Sequence, residues 1–114
     1  MNVAKIVLPL PLNSTFDYTF DNQKVEVGSI VEVNFSGRTM IGVVIAIDVK
    51  DILDIKYKIK NISRILDMKP IKQEQIDFLM QVSNYNLIPI GLVFKLMLPT
   101  IISDKTKTIK KYYI

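Results

Sequence analysis

Apolar and polar residues alternate with a period of two through the first half of the chain and switch to a helical period in the second. Val3–Leu8 is a short apolar run that Pro9 and Pro11 stop by fixing extended backbone, which predicts a strand. Phe16–Phe20 alternates, with Phe16, Tyr18 and Phe20 on one side and Asp17 and Thr19 on the other. Ile30–Phe35 alternates again, with Ile30, Glu32 and Asn34 facing away from Val31, Val33 and Phe35, and with Gly28-Ser29 and Ser36-Gly37 as turn signals on either side. Met40–Ile47 is nearly all β-branched or apolar, and Gly42 within it predicts a bend or bulge. Phe35–Met40 is then the loop of a hairpin. Asp48–Asp54 is polar and acidic and predicts a loop. In Ile55–Ile59, Lys56, Lys58 and Lys60 fall on one face and Ile55, Tyr57 and Ile59 on the other; Asn61–Leu66 continues this segment irregularly until Pro70.

The second half changes period. Gln73–Tyr85 places Ile76, Leu79, Met80 and Ser83 at i, i+3, i+4, i+7, the stripe of an amphipathic helix. Pro89 suits the first turn of a second helix over Ile90–Leu98, which Pro99 is expected to close. The predicted fold is α+β: a small curved β-sheet or partial β-barrel of four to six strands, followed by two helices that cover one opening.

The sequence has 114 residues, 49% of them hydrophobic and 23% charged, which supports one folded domain and leaves no room for a second core. It contains no cysteine, histidine or tryptophan. Disulfides, thiolate or imidazole metal sites and His- or Cys-based nucleophilic catalysis are therefore excluded. Mg²⁺ or Ca²⁺ held by oxygens alone remains open. Composition thus favours a binding module over a free-standing enzyme. Met1–Leu12 has no secretory pattern, and the apolar stretch Leu87–Ile102 is interrupted by Pro89, Lys95 and Pro99. A soluble cytoplasmic protein with no membrane partner is expected.

The net charge is +4, from 15 basic and 11 acidic residues. Its placement is uneven, because Lys105, Lys107, Lys110 and Lys111 stand against Asp104 in the last stretch. The body before them is almost neutral, whereas a protein gripping long duplex by its phosphates needs a broad basic surface. Any nucleic acid recognised here is recognised locally. The tail Asp104–Ile114 ends on Tyr112-Tyr113-Ile114, which reads either as a frayed basic tail or as a chain cut just inside its next element.

Each candidate site has an ordinary alternative. Asp48, Asp51 and Asp54 lack the turning glycine of a calcium loop and read as a solvated acidic loop. The row Lys56, Lys58, Lys60, extended by Arg64, could follow a phosphate backbone, but lysines also keep a sheet edge from pairing with other chains. Phe16 and Tyr18 could stack on bases, or could point into the core with Asp17 exposed between them. Ser36-Gly37-Arg38 reads first as a hairpin turn and second as a close backbone approach to a ligand.

Several pieces then fall in a familiar order. Leu8-Pro9-Leu10-Pro11-Leu12, Phe16-Asp17-Tyr18, Gly28, Val33-Asn34-Phe35-Ser36-Gly37-Arg38 and Gly42-Val43-Val44 resemble the opening of the primosomal protein N′ family, the bacterial replication-restart DNA helicases. Lys60-Asn61-Ile62, Ile65-Leu66-Asp67 and Pro70 resemble the next stretch of its N-terminal domain. Tyr85, Pro89, Gly91, Val93 and Leu98-Pro99 resemble that domain's end. Two departures are visible. The family usually has Ala-Asp-Tyr-Tyr where this chain has Ser83-Asn84-Tyr85-Asn86, and Pro where Asn34 stands; neither departure is expected to touch the pocket.

The resemblance implies a 3′-DNA-binding domain over residues 1–103, with 104–114 a basic linker or the start of a winged-helix domain. It implies that Phe16, Asp17, Tyr18, Gly37 and Lys60 form a pocket for the 3′-hydroxyl end of a nascent leading strand at a stalled fork. It further implies a cytoplasmic, nucleoid-associated bacterial protein whose partners are DNA, other primosome proteins and single-stranded-DNA-binding protein. ATP, Mg and Zn belong to the helicase part that follows in the family. No phosphate loop ending in Gly-Lys-Ser/Thr stands in this chain, so no ATPase activity and no cofactor is expected of it. The alternative, from a different class, is a small β-barrel that docks a protein partner through its lysine strand and basic tail.

Overall fold

The computed structural model describes residues 2–21, 24–49 and 59–106, with residues 100–106 as helix backbone alone. The alternating segments become strands β1 (Asn2–Val7), β2 (Phe16–Phe20), β3 (Ile30–Phe35) and β4 (Arg38–Val49), joined by a short β5 (Arg64–Ile65). They form one antiparallel sheet in the order β2-β1-β4-β3-β5. Two helices follow, α1 (Gln73–Asn86) and α2 (Ile90–Thr106). The α+β expectation holds. Of the segments read from the sequence, 50–58 and 107–114 lie outside the described residues, and with them Asp51, Asp54, Lys56, Lys58 and the last part of the basic tail.

Both faces of the sheet bury apolar side chains, because alternate residues of each strand find a core on either side. Ala4, Ile6, Tyr18, Phe20, Val31, Val33, Val44 and Ile62 fill the first. On the opposite face Val7, Val43 and Ile30 are aligned across β1, β4 and β3. Ile76 and Leu79 of α1 and Ile90, Val93 and Phe94 of α2 close over that row. The helical pair therefore covers one end of the second face. Ile30, read from alternation as facing away with Glu32 and Asn34, is buried for this reason. Burying one such aliphatic side chain stabilises the fold by about 1.5–3 kcal/mol.

The sheet is curled far enough for one segment to reach both of its edges. Thr19, the penultimate residue of β2, donates its N–H to the Lys60 carbonyl and accepts from Ile62 N–H, each at 2.9 Å. Ser63 N–H then bonds Glu32 O, and β5 pairs with β3. The 60–65 stretch thus ties the edge of β2 to the edge of β3.

Four local expectations are corrected. The β3–β4 loop is only Ser36-Gly37, since Phe35 already pairs with Arg38; both loop residues have positive φ (53° and 80°), the two-residue turn whose twist matches the flanking strands. The bulge is not at Gly42, which keeps register opposite Val31. It lies at Ile45, where Lys5 pairs with Ala46 but Ile6 with Val44. Gly42 answers instead to crowding, as a Cβ there would press on the Ile6 side chain and the Val7 carbonyl. Asp48 belongs to β4 and not to the acidic loop. Finally, Pro99 does not close α2, which continues through residue 103 to Thr106. The ring removes a single backbone donor, that of the bond to the Lys95 carbonyl, on an exposed turn.

Candidate nucleic-acid interface

Between β1 and β2 the chain runs Leu8-Pro9-Leu10-Pro11-Leu12, and each proline centres a tight three-residue turn: Leu10 N–H bonds Leu8 O and Leu12 N–H bonds Leu10 O, both at 2.7 Å. The α2 N-terminus seats on this stretch, with Ile90 N–H donating to Asn13 Oδ1 and Gly91 N–H to Leu12 O. These contacts satisfy donors that a helix start leaves over, and they fix the entry to β2. The residues that follow, Phe16-Asp17-Tyr18, reach a cleft of about 440 Å³.

Four of the five residues expected at a pocket line this cleft: Phe16, Asp17, Tyr18 and Lys60. Gly37 is not among its lining residues. It stands exposed at the tip of the β3–β4 hairpin, beside Ser36, which does line the cleft. A Cβ at Gly37 would meet no atom of the described residues within 4 Å, which leaves the backbone there room for an approaching ligand. Lys60 is delivered by the bridging segment, its carbonyl pinned by Thr19 N–H. The Thr19 hydroxyl also hydrogen-bonds the Asn61 side chain.

The aromatic residues divide the two readings left open. Tyr18 is 4% exposed and its ring belongs to the first core; it contributes a wall and offers no open stacking face. Its O–H donates to the Asn34 carbonyl at 2.8 Å, and burial raises the phenol's pKa above its ordinary value. Phe16 is half-buried and meets Phe35 edge to face, with ring centroids 4.9 Å apart and planes at 67°.

Sequence reasoning missed Lys5 and Asn34. Lys5 is the charged residue inside the apolar Val3–Leu8 run, and it is the direct cross-strand partner of Asp17. Its Nζ lies 3.5 Å from Asp17 Oδ1. Asn34, set aside as a departure remote from the pocket, lines it. Its carbonyl accepts from Tyr18 and its Oδ1 accepts from Lys60 Nζ at 3.4 Å. A proline at this position would have no side-chain acceptor for that ammonium. The available signal was the placement of Asn34 just before the Phe35-Ser36-Gly37 turn. Arg64, which could have extended the lysine row, pairs with Glu32 at 3.4 Å on the β3–β5 edge.

Among the described residues, the cleft therefore combines two ammoniums, one carboxylate, an edge-to-face pair of rings and an open backbone turn. No helix among the described residues is long and apolar enough to cross a membrane.

Residues 5–99 match the family described as the 3′DNA-binding domain (3′BD). The chain is also 29% identical over 119 aligned residues to the replication restart protein PriA of Rickettsia prowazekii (strain Madrid E). That alignment covers 100% of this chain and 17% of the relative, so the chain spans about a sixth of the relative's length. The ordered motifs from Leu8-Pro9 to Leu98-Pro99 and the match over nearly the same stretch agree, and the chain belongs to the 3′DNA-binding domain family of PriA.

Proposed function

We propose that this domain binds the 3′-hydroxyl end of a DNA strand in the cleft between β2, the Ser36-Gly37 turn and Lys60. Its family has a DNA-binding role in replication restart. The strand end is the finer reading, together with service as the N-terminal module of an ATP-dependent 3′-to-5′ helicase at stalled forks.

The observation that carries this reading is a carboxylate, Asp17, in the wall of a cleft otherwise suited to nucleotides. A carboxylate repels phosphates, so it is a poor choice for gripping the interior of a strand. A terminal hydroxyl differs, because it donates to an ionised acceptor in a charge-assisted bond about twice as strong as a neutral one. The cleft volume of about 440 Å³ suits a small ligand better than a length of duplex. Lys60 then serves as the cation for the phosphate just upstream. The Phe16 ring supplies base-tolerant contact, Tyr18 the wall behind it, and the Gly37 backbone a close approach to sugar or phosphate.

The test is a fluorescence titration with two oligonucleotides of one sequence, ending in 3′-hydroxyl or 3′-phosphate. The hydroxyl end binds more tightly, Asp17→Ala abolishes the difference, and Lys60→Ala weakens both ligands alike. Equal affinity of the wild-type domain for the two ends refutes the proposal.

A further inference from the structure

The carboxylate in the cleft is not presented as an isolated charge. Lys5 Nζ stands 3.5 Å from Asp17 Oδ1, and the contact follows from register, since Lys5 and Asp17 are directly opposed on β1 and β2. Opposed side chains in an antiparallel pair have Cβ atoms about 4.5–5.5 Å apart, so the two meet whenever these strands pair. Both remain partly open to the cleft, with side-chain exposures of 34% and 19%. An ion pair of this kind adds little to stability. Its position matters more, because among the described residues Lys5 and Lys60 make the lining two ammoniums against one carboxylate.

We propose that Lys5 is a specificity-determining residue of the cleft. Its ammonium offsets the Asp17 charge and sets how strongly a strand end bearing a phosphate is rejected in favour of one bearing a hydroxyl. This inference rests on the strand-end reading above. A 3′-hydroxyl needs only an acceptor, and Asp17 remains an acceptor with or without Lys5. A 3′-phosphate brings about 1.5–2 negative charges and no strong donor. The Asp17 carboxylate repels it, whereas the Lys5 ammonium offers it a cation with three donors, not all of which a single carboxylate oxygen can occupy. Lys5 therefore acts chiefly on the phosphate-ended strand. One unit charge about 6 Å away in a solvated cleft changes affinity by roughly threefold, and more where water is excluded.

The experiment measures affinities of the 114-residue chain for linear 3′-hydroxyl, linear 3′-phosphate and circular single-stranded DNA. It compares wild type with Lys5→Gln, which removes the charge, and Lys5→Arg, which keeps it. Lys5 is a partly exposed strand residue, and circular dichroism checks that each variant is folded. Lys5→Gln is expected to widen the hydroxyl-over-phosphate ratio by about three- to tenfold, mostly by weakening the phosphate-ended strand. Lys5→Arg restores the wild-type ratio. If Lys5→Gln weakens the two linear ends equally, or narrows the ratio, while wild type still prefers an end to a circle, the inference about Lys5 fails and the strand-end reading stands. If wild type binds circular and linear 3′-hydroxyl strands alike, both fall together.

Discussion

Tyr18→Phe is the most informative single change for the architecture of the cleft. It deletes one oxygen from a ring that is otherwise packed in the first core, and it removes the bond from that oxygen to the Asn34 carbonyl at 2.8 Å. The hydrophobic contribution of the ring is retained, so the cost is that of a single hydrogen bond. A neutral bond of this length contributes about 0.5–1.5 kcal/mol net, and stranding its partner adds more only where water cannot reach it. Asn34 is half-buried, so water can replace the phenol and the loss is set at about 1 kcal/mol. With a urea slope of about 2 kcal/mol per molar, the unfolding midpoint should fall by roughly 0.5 M, with the slope unchanged. The same change carries a pH signature. Burial raises the pKa of the folded phenol above its unfolded value, so the unfolded chain ionises first as pH rises. Below pH ~10 both states hold the proton and the contribution is intact; above it, stability is lost until the folded pKa is passed. The difference between wild type and Tyr18→Phe should therefore be constant up to about pH 10 and shrink beyond it. A variant as stable as wild type at pH 7, or a difference that grows at alkaline pH, would refute the account of Tyr18 as a buried donor holding Asn34.

Three further outcomes follow from the same geometry. Gly91→Ala should destabilise the domain by about 1–3 kcal/mol in thermal melts even though alanine favours helices, because its Cβ would overlap the Leu10 carbonyl on which α2 is seated. Lys60→Ala should lower the slope of log affinity against log salt for single-stranded DNA by about 0.7, the share of one phosphate contact, and an unchanged slope would remove Lys60 from the phosphate track. Asn34→Ala should leave stability within about 0.5 kcal/mol, since the bond to Tyr18 uses the backbone carbonyl. It should nevertheless weaken DNA binding, because the Lys60 ammonium loses the Asn34 acceptor that holds it at the cleft.

The parts of the fold that were legible in the sequence are those governed by one local period. β2, β3 and α1 follow from alternation and from the Ile76, Leu79, Met80, Ser83 stripe, to within a residue at each end. What escaped was decided by partners remote in sequence. Pro99 sits inside α2 although a local rule ends the helix there, and its neighbours Phe94 and Leu98 take part in the second core. The bulge at Ile45 depends on how β4 meets β1, and no feature of β4 alone announces it. The cleft divides in the same way. Phe16-Asp17-Tyr18 and Lys60 came from ordered motifs, whereas Lys5 and Asn34 enter it through cross-strand register and a hairpin of only two loop residues. Tyr18 illustrates a further limit, since alternation gives its face correctly but does not say whether that face belongs to core or ligand.

The stretch that ties β2 to β3 is also the stretch that carries Lys60. A DNA strand bound through the Lys60 ammonium, as proposed above, would pull on the fastening of the curled sheet itself. Load on such a strand would be shared by backbone bonds at Thr19, Ile62 and Ser63, and a ligand that tightens this fastening should slow amide hydrogen exchange at those three positions as a group. On the proposed reading, holding DNA and holding the sheet rolled up are one mechanical task.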